Sequence, residues 1–279
     1  MSFWSVLVRR RVALAGFIVI SIILIFAIFA PLLAPDSPTH LDPAQRLKRP
    51  NLTHFFGTDN FGRDIFSRIV YGARTSLLGS AGVVAVAIAG GIAFGMSAGY
   101  FRRIEPFVMR LIDVLMAFPS LLTALVLVSI LGRGMFNVVL AVGITYMTRT
   151  TRIVYALTLR VKEEPYVEAA CSLGAREARI VLRHLLPNMT SPIIVQATFT
   201  FAFSLLDMAA LDFLGLGIPP EIPSWGNMLS EGRTYLTMAP WLLFFPGSFI
   251  VLSVLSFNML GDVLRDRLDP HFRKSVEGI

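Results

Sequence analysis

The sequence predicts an all-α membrane protein with six transmembrane helices, and three observations lead to this prediction. The 279-residue chain is 55% hydrophobic and 15% charged, whereas a soluble domain carries roughly 25% charged residues. Six apolar segments are long enough to cross the hydrocarbon core of a bilayer, which takes about 20 residues. Their hydrophobicity is continuous rather than alternating, which argues against a transmembrane β-barrel.

The predicted spans follow one another with polar or basic segments between them. In chain order they are Val12–Leu33, Leu77–Gly99, Leu111–Leu131, Met135–Leu157, Ser191–Leu214 and Met238–Leu260. We expect the first to be a retained anchor, because its apolar core exceeds the about 7–15 residues of a signal peptide. The chain then divides into an N-terminal span with its external loop, residues 1–75, and a five-span core, residues 76–279.

The distribution of basic residues predicts the orientation of these spans. If both termini are cytoplasmic, 17 of the 25 lysines and arginines lie in the inner segments. Arg9, Arg10 and Arg11 stand immediately before the first span, and such clusters favour the cytoplasmic side. Basic residues at the ends of apolar runs indicate membrane topology rather than a nucleic-acid-binding surface.

The cytoplasmic segment between the fourth and fifth spans predicts a helical hairpin at residues 160–190. Pro165 suits the first turn of a helix, where its missing N–H is harmless. Gly174 permits a turn with positive φ because it has no Cβ. The basic residues Arg176, Arg179 and Arg183 then belong to a second helix.

The spacing within this hairpin resembles the EAA loop in the membrane subunits of bacterial ABC importers. That motif has EAA, three residues, Gly, nine residues, an apolar residue, any residue, then LP. The matching residues are Glu168, Ala169, Ala170, Gly174, Leu186 and Pro187, with His184 where Ile is usual. The resemblance implies a coupling helix that docks on an ATPase through Glu168, Ala169, Ala170, Ser172, Leu173, Gly174 and Ala175. The alternative is an ordinary hairpin without a partner.

The external loop carries a second motif. The segment His54–Leu77 resembles the GTDxxGRDxxSRxxxGxRxSL signature of permeases in the dipeptide, oligopeptide and nickel branch of ABC importers. The stretches Phe213–Leu229 and Asn258–His271 agree with this branch, and the overall match is to its smaller, C-type permease. The motif residues Gly57, Asp59, Gly62, Arg63, Asp64 and Arg68 predict a folded cap with its own ion pairs, Arg74 included, or a short amphipathic helix.

These resemblances imply a type I ABC importer permease in the bacterial cytoplasmic (inner) membrane. Such a subunit is not an enzyme, and no GxxxxGK[ST] phosphate loop occurs in this chain. The implied partners are a second homologous permease, two ATPase subunits that use ATP and Mg²⁺, an external solute-binding protein and membrane lipid, without nucleic acid. The chain would form half of a pathway for short peptides.

Two alternatives to a peptide permease remain open. The same architecture serves for nickel, glutathione or another small solute. A different class, the ion-coupled secondary transporter, typically shows inverted repeats with broken helices, and no such repeat is evident. No pair of histidines has metal-ligand spacing, and a single cysteine, Cys171, excludes an internal disulfide and a cysteine metal cluster.

Several residues within or beside the spans invite specific interpretations. Ala87, Gly91, Gly95 and Gly99 form a stripe of small residues on one helix face, which favours close packing, either static or sliding. Asp207 is a candidate for the translocation pathway or an acceptor for a neighbouring helix. We expect Asp113 to pair locally with Arg110, and Trp225 to act as an interfacial anchor.

Overall fold

The computed structural model describes residues 11–268, and the regular elements within that range are helical. Its main helices are α1 Arg11–Ile28, α2 Ile65–Tyr100, α3 Glu105–Met116, α4 Ser120–Leu131, α5 Met135–Lys162, α6 Pro165–Ser172, α7 Glu177–Phe213, α8 Trp225–Gly232 and α9 Trp241–Leu268. Short helical turns occur at Ala30–Leu33, Pro43–Gln45 and Arg233–Tyr235. Arg9, Arg10 and the end of the Asn258–His271 motif lie outside the described residues.

Three of the described helices are long and apolar enough to cross a membrane. They are Ile65–Tyr100, Glu177–Phe213 and Trp241–Arg267, and the α3–α4 pair counts as a fourth if it forms one broken span. Ala13–Ile28 is apolar but shorter. By length and composition, the described residues therefore contain fewer spans than the six expected from the sequence.

The third predicted span, Leu111–Leu131, is not one continuous helix. α3 and α4 meet at an angle of 97° across a short break. Pro119 precedes α4 with an extended backbone, φ −56° and ψ 138°. Proline has no N–H to donate and restricts the residue before it to extended conformations, so the helix ends at Met116 and restarts at Ser120.

Two other predicted spans are parts of longer helices. α2 has 36 residues, about 54 Å at 1.5 Å per residue, and includes the last part of the loop predicted before the second span. α7 begins at Glu177, so the second arm of the hairpin is continuous with the fifth span. A π-helical turn at Ile180–Leu185 precedes Pro187. The wider turn accommodates a residue that cannot donate to the preceding carbonyls.

The small-residue stripe of α2 packs against α5 within this chain. A Cβ added at Gly91 would lie 2.4 Å from Thr150 Cγ2, and one at Gly95 would lie 2.7 Å from the Thr151 carbonyl oxygen. The hydroxyl of Thr150 donates within its own helix, so it is not left unpaired at the contact. The two backbones therefore approach more closely than larger residues would allow.

Replacing Gly95 with Ala is expected to destabilise the α2–α5 pair. Its Cβ would lie 2.7 Å from both the Thr151 carbonyl oxygen and Val154 Cβ, and overpacking typically costs about 1–3 kcal/mol. We expect a lower apparent melting temperature of the complex purified in detergent.

The matched control is Gly247→Ala in α9, because a Cβ there would meet only Leu229 Cδ2 at 3.8 Å. Both substitutions improve helix propensity by about 1 kcal/mol, so any difference between them reports packing. Equal melting temperatures for the two variants would contradict close packing at Gly95.

Candidate functional site

The elbow, defined here as residues 165–179, joins α5 to α7. Pro165 occupies the first turn of α6, as its position in the sequence predicts. Gly174 has φ +76°, which confirms the predicted turn. Its N–H donates to the Cys171 carbonyl at 2.9 Å, and the Ala175 N–H donates to the Ala170 carbonyl at 3.1 Å. No atom lies within 4 Å of a Cβ added at Gly174, so the backbone conformation, not space, requires glycine.

The elbow is anchored on one side and open on the other. Val167 is 1% exposed and belongs to a core cluster with Ile180 and Leu185. Leu173, in contrast, is 88% exposed at the tip. Of the other predicted docking residues, Glu168, Ala169, Ser172 and Gly174 are exposed, while Ala170 and Ala175 are half-buried. The elbow therefore exposes small residues and one leucine, while Val167 anchors it in the core.

The second arm of the hairpin closes against the first. Leu186 is half-buried and Pro187 is exposed. His184, which stands where the motif usually has Ile, lies with its ring centroid 6.5 Å from that of Tyr166 in α6. Partial burial and the nearby Glu164 carboxylate raise the pKa of Tyr166. His184 therefore makes an aromatic contact with α6 at a position where the motif usually has an aliphatic side chain.

A cavity of about 400 Å³ adjoins α6 and the end of α2. Its lining comprises Tyr100, Lys162, Glu163, Val167, Glu168 and Cys171. Lys162 donates to the Tyr100 carbonyl at 3.1 Å and lies 5.2 Å from the centre of the Tyr100 ring. This contact ties the ends of α2 and α5 together beside the elbow.

At the opposite end of α2, four charged side chains form an ionic cluster: Asp59, Arg63, Arg68 and Glu231. Arg63 Nε and an Arg68 terminal nitrogen each lie 2.6 Å from Asp59 Oδ2. The same two arginines each place a terminal nitrogen 2.6 Å from Glu231 Oε2. Two cations and two anions balance, and the Arg68 side chain is 2% exposed. The cluster ties the loop before α2 to α8.

The remaining loop residues of the motif shape the chain around this cluster. Gly62 has φ +76°, and a Cβ there would lie 1.7 Å from the Asp42 carbonyl oxygen. Gly57 has φ +78°. Asp64 caps α2 by accepting from the Ser67 N–H at 2.7 Å, and its other oxygen lies 3.0 Å from His54 Nδ1. Asp64 therefore starts a helix rather than pairing with an arginine.

The sequence predicted ion pairs within the loop but not their partner in α8. Asp59, Arg63 and Arg68 do pair, whereas Arg74 is exposed. Glu231 lies 163 residues from Arg68 in the chain, so no local spacing indicates the contact. Its one signal is its position two residues after the motif stretch Phe213–Leu229.

The expectation that Trp225 acts as an interfacial anchor is wrong. Its side chain is 0% exposed, and its Nε1–H donates to the Ile69 carbonyl at 3.1 Å. Asp212 holds the preceding turn, because it accepts from the Ile218 N–H at 2.7 Å and from the Ser224 hydroxyl at 2.6 Å. The turn therefore delivers Trp225 into the core between α2 and α9.

Two other acidic residues contact α5. Asp207 in α7 accepts from the Tyr146 hydroxyl at 2.8 Å, which is the hydrogen bond from a neighbouring helix that the sequence left open. Asp113 pairs with Arg152, so the expected pair with Arg110 is wrong. The packing of α3 beside α5 brings Arg152 within reach, which spacing along α3 cannot reveal.

Among residues 11–268, no group of three or more His, Cys, Asp and Glu could hold a metal ion.

Replacing Arg68 with Met is expected to lower the stability of the protein strongly. Asp59 and Glu231 would lose a shared cation, and breaking a buried ion pair from one side typically costs about 3–5 kcal/mol. The apparent melting temperature of the purified complex measures the effect.

The control is Arg74→Met, which removes the same charge from an exposed position on the same helix. A variant lacking Arg68 that melts at the same temperature as the Arg74 variant would show that the cluster does not stabilise the fold.

The sequence matches two protein families. The family described as "Binding-protein-dependent transport system inner membrane component" matches residues 91–274. The family described as "N-terminal TM domain of oligopeptide transport permease C" matches residues 1–50. Together they cover most of the chain, including the elbow.

Curated relatives are similar over nearly the whole chain. The dipeptide transport system permease protein DppC of Alkalihalophilus pseudofirmus is 44% identical over 95% of this chain and 88% of its own length. The di/tripeptide transport system permease protein DppC of Pseudomonas aeruginosa is 40% identical over 98% of this chain and 93% of its own length. The glutathione transport system permease protein GsiD of Escherichia coli is 41% identical over 97% of this chain and 90% of its own length.

The long apolar helices and this extended similarity define an integral membrane permease subunit. The chain belongs to the binding-protein-dependent transport system inner membrane component family, the permeases of ABC importers. The resemblance to C-type permeases of the dipeptide, oligopeptide and nickel branch is thereby confirmed. The family comprises channel-forming subunits for which no catalytic activity is indicated.

Proposed function

We propose that this chain forms half of the translocation pathway for short peptides in an ATP-driven importer of the bacterial inner membrane. The observation that carries the proposal is its 40–44% identity, over nearly its full length, to permeases named for dipeptide and di/tripeptide transport. A second, homologous permease supplies the other half. An external solute-binding protein delivers the cargo.

The proposed topology has six crossings and both termini in the cytoplasm. α1 is the first crossing, α2 the second, the bent α3–α4 pair the third, α5 the fourth, and α7 and α9 the last two. The basic residues before the first span support this orientation. It divides the chain into residues 1–75 and 76–279, with the coupling hairpin at 160–190 on the cytoplasmic side.

The elbow is the proposed contact with the ATPase subunits, which bind ATP and Mg²⁺. Small residues let a partner approach α6 closely, and the exposed Leu173 offers an apolar side chain for a groove. The anchoring of Val167 in the core means that a force on α6 reaches α5 and α7. Closure of the two ATPases would thus move the helices that border the pathway.

Glutathione is the competing cargo that a specific observation supports, since a relative named for glutathione transport is 41% identical. Glutathione and short peptides share amide bonds and charged termini. The ligand retained by the cognate binding protein distinguishes them: retention of glutathione but not of di- or tripeptides would overturn the peptide assignment.

The variants Gly174→Asp and Glu168→Lys are expected to uncouple ATP hydrolysis from uptake. The aspartate is strained at φ +76° and alters the tip, while the lysine reverses an exposed charge on the docking face. Each variant should co-purify with the second permease but lose about tenfold or more of its ATP-dependent peptide uptake in proteoliposomes.

The control is Asp262→Lys, which reverses an exposed charge on α9, outside the elbow. It should retain uptake. Unchanged uptake by both elbow variants, with normal ATPase binding, would refute the docking role.

A further inference from the structure

A cavity with both polar and apolar lining residues lies beside the half-way point of α5, on a different face from the one that packs against α2. Its volume is about 300 Å³. α5 contributes Thr145, Tyr146, Thr148 and Arg149 to its wall, and the opposite wall comes from the α3–α4 break and from Phe203 of α7. The break at Pro119 leaves this space unfilled, because neither helix continues across it.

Arg149 is the charged residue that lines this cavity. It is exposed in the subunit, and among the described residues it makes no ion pair or side-chain hydrogen bond. It lies half-way along a 28-residue helix, inside the proposed fourth crossing, where an arginine facing lipid is unfavourable. A protein surface that carries Arg149 there is therefore expected to face water or an anionic ligand.

Two neighbouring features support contact between this face of α5 and water. One turn further along α5, Arg152 pairs with Asp113, and their side chains are 51% and 55% exposed. On the cavity wall, the Tyr146 hydroxyl donates to Asp207 at 2.8 Å. The cavity wall thus carries Arg149 and a tyrosine whose hydroxyl is bonded to a carboxylate.

We propose that Arg149 binds the terminal carboxylate of the peptide cargo on its way through the permease. A guanidinium matches a carboxylate with two parallel hydrogen bonds. Every short peptide with a free terminus offers that group whatever its side chains, so one arginine serves many sequences. This inference rests on the proposed function and adds a substrate-contacting residue to it.

The first test asks whether Arg149 faces water. The chain has one cysteine, Cys171, so Cys171→Ala provides a background without thiols in this subunit. In the assembled complex, Arg149→Cys should react with a charged, membrane-impermeant thiol reagent. Val251→Cys, at a residue 54% exposed on α9 among apolar neighbours, should not. Absence of reaction at position 149 under both resting and ATP-bound conditions would overturn the proposal.

The second test measures selectivity rather than rate. Proteoliposomes containing the complex receive tri-alanine or tri-alanine amide, each at a concentration that saturates the binding protein. The wild type should favour the free acid by about tenfold, the strength expected of one charge-assisted contact. Arg149→Gln should abolish that preference, Arg149→Lys should keep part of it, and Arg265→Gln, an exposed position on α9 outside the hairpin, should leave it unchanged.

The outcomes separate this inference from the function on which it rests. If the wild type takes up peptide and Arg149→Gln keeps the full preference for the free acid, the proposed role of Arg149 is overturned. The proposed function is not affected by that outcome. A wild-type complex that takes up neither peptide overturns the proposed function, and this inference with it. If Arg149→Gln fails to assemble, the Arg149→Lys selectivity and the thiol reactivity still decide the question.

Discussion

The close approach of α2 and α5 is the constraint on which the rest of the structure depends. Glycines at 91 and 95 leave room for Thr150 and Thr151 of the facing helix, with a hypothetical Cβ only 2.4 to 2.7 Å away. In lipid no hydrophobic effect drives helices together, so contact area gained through small residues stabilises the pair. The hydroxyls of these two threonines bond within their own helix, so neither is left unpaired at the contact.

This pair connects the two ends of the molecule. At one end of α2 the cluster around Arg68 joins the loop before α2 to α8. At the other end Lys162 of α5 contacts Tyr100 of α2, and the elbow follows directly. In the proposed account, α2 and α5 move as one body when the ATPases pull on α6. The cavity at Arg149 lies on the α5 face left free by that packing, where movement would change access.

Local sequence signals predicted the features that depend on local backbone chemistry. Gly174 adopts the expected positive φ, and the apolar runs form helices. The 97° break at Pro119 was not predicted, because a proline in an apolar run suits both a kinked span and an interrupted one. Contacts between distant segments were also missed: Glu231 completes a cluster that starts in the external loop, and Asp113 pairs with Arg152 across two helices. Such pairs depend on how helices pack, which spacing does not encode.

The claim that α2 and α5 move as one body can be tested by joining them covalently. A Cβ at Gly90 would lie 4.0 Å from Met147 Cβ, a separation that suits a disulfide. In a Cys171→Ala background, the double variant Gly90→Cys, Met147→Cys should cross-link on oxidation and transport peptide at the same ATP-dependent rate before and after. Transport that stops on oxidation and returns on reduction would show that the helices slide past one another, and would contradict the account.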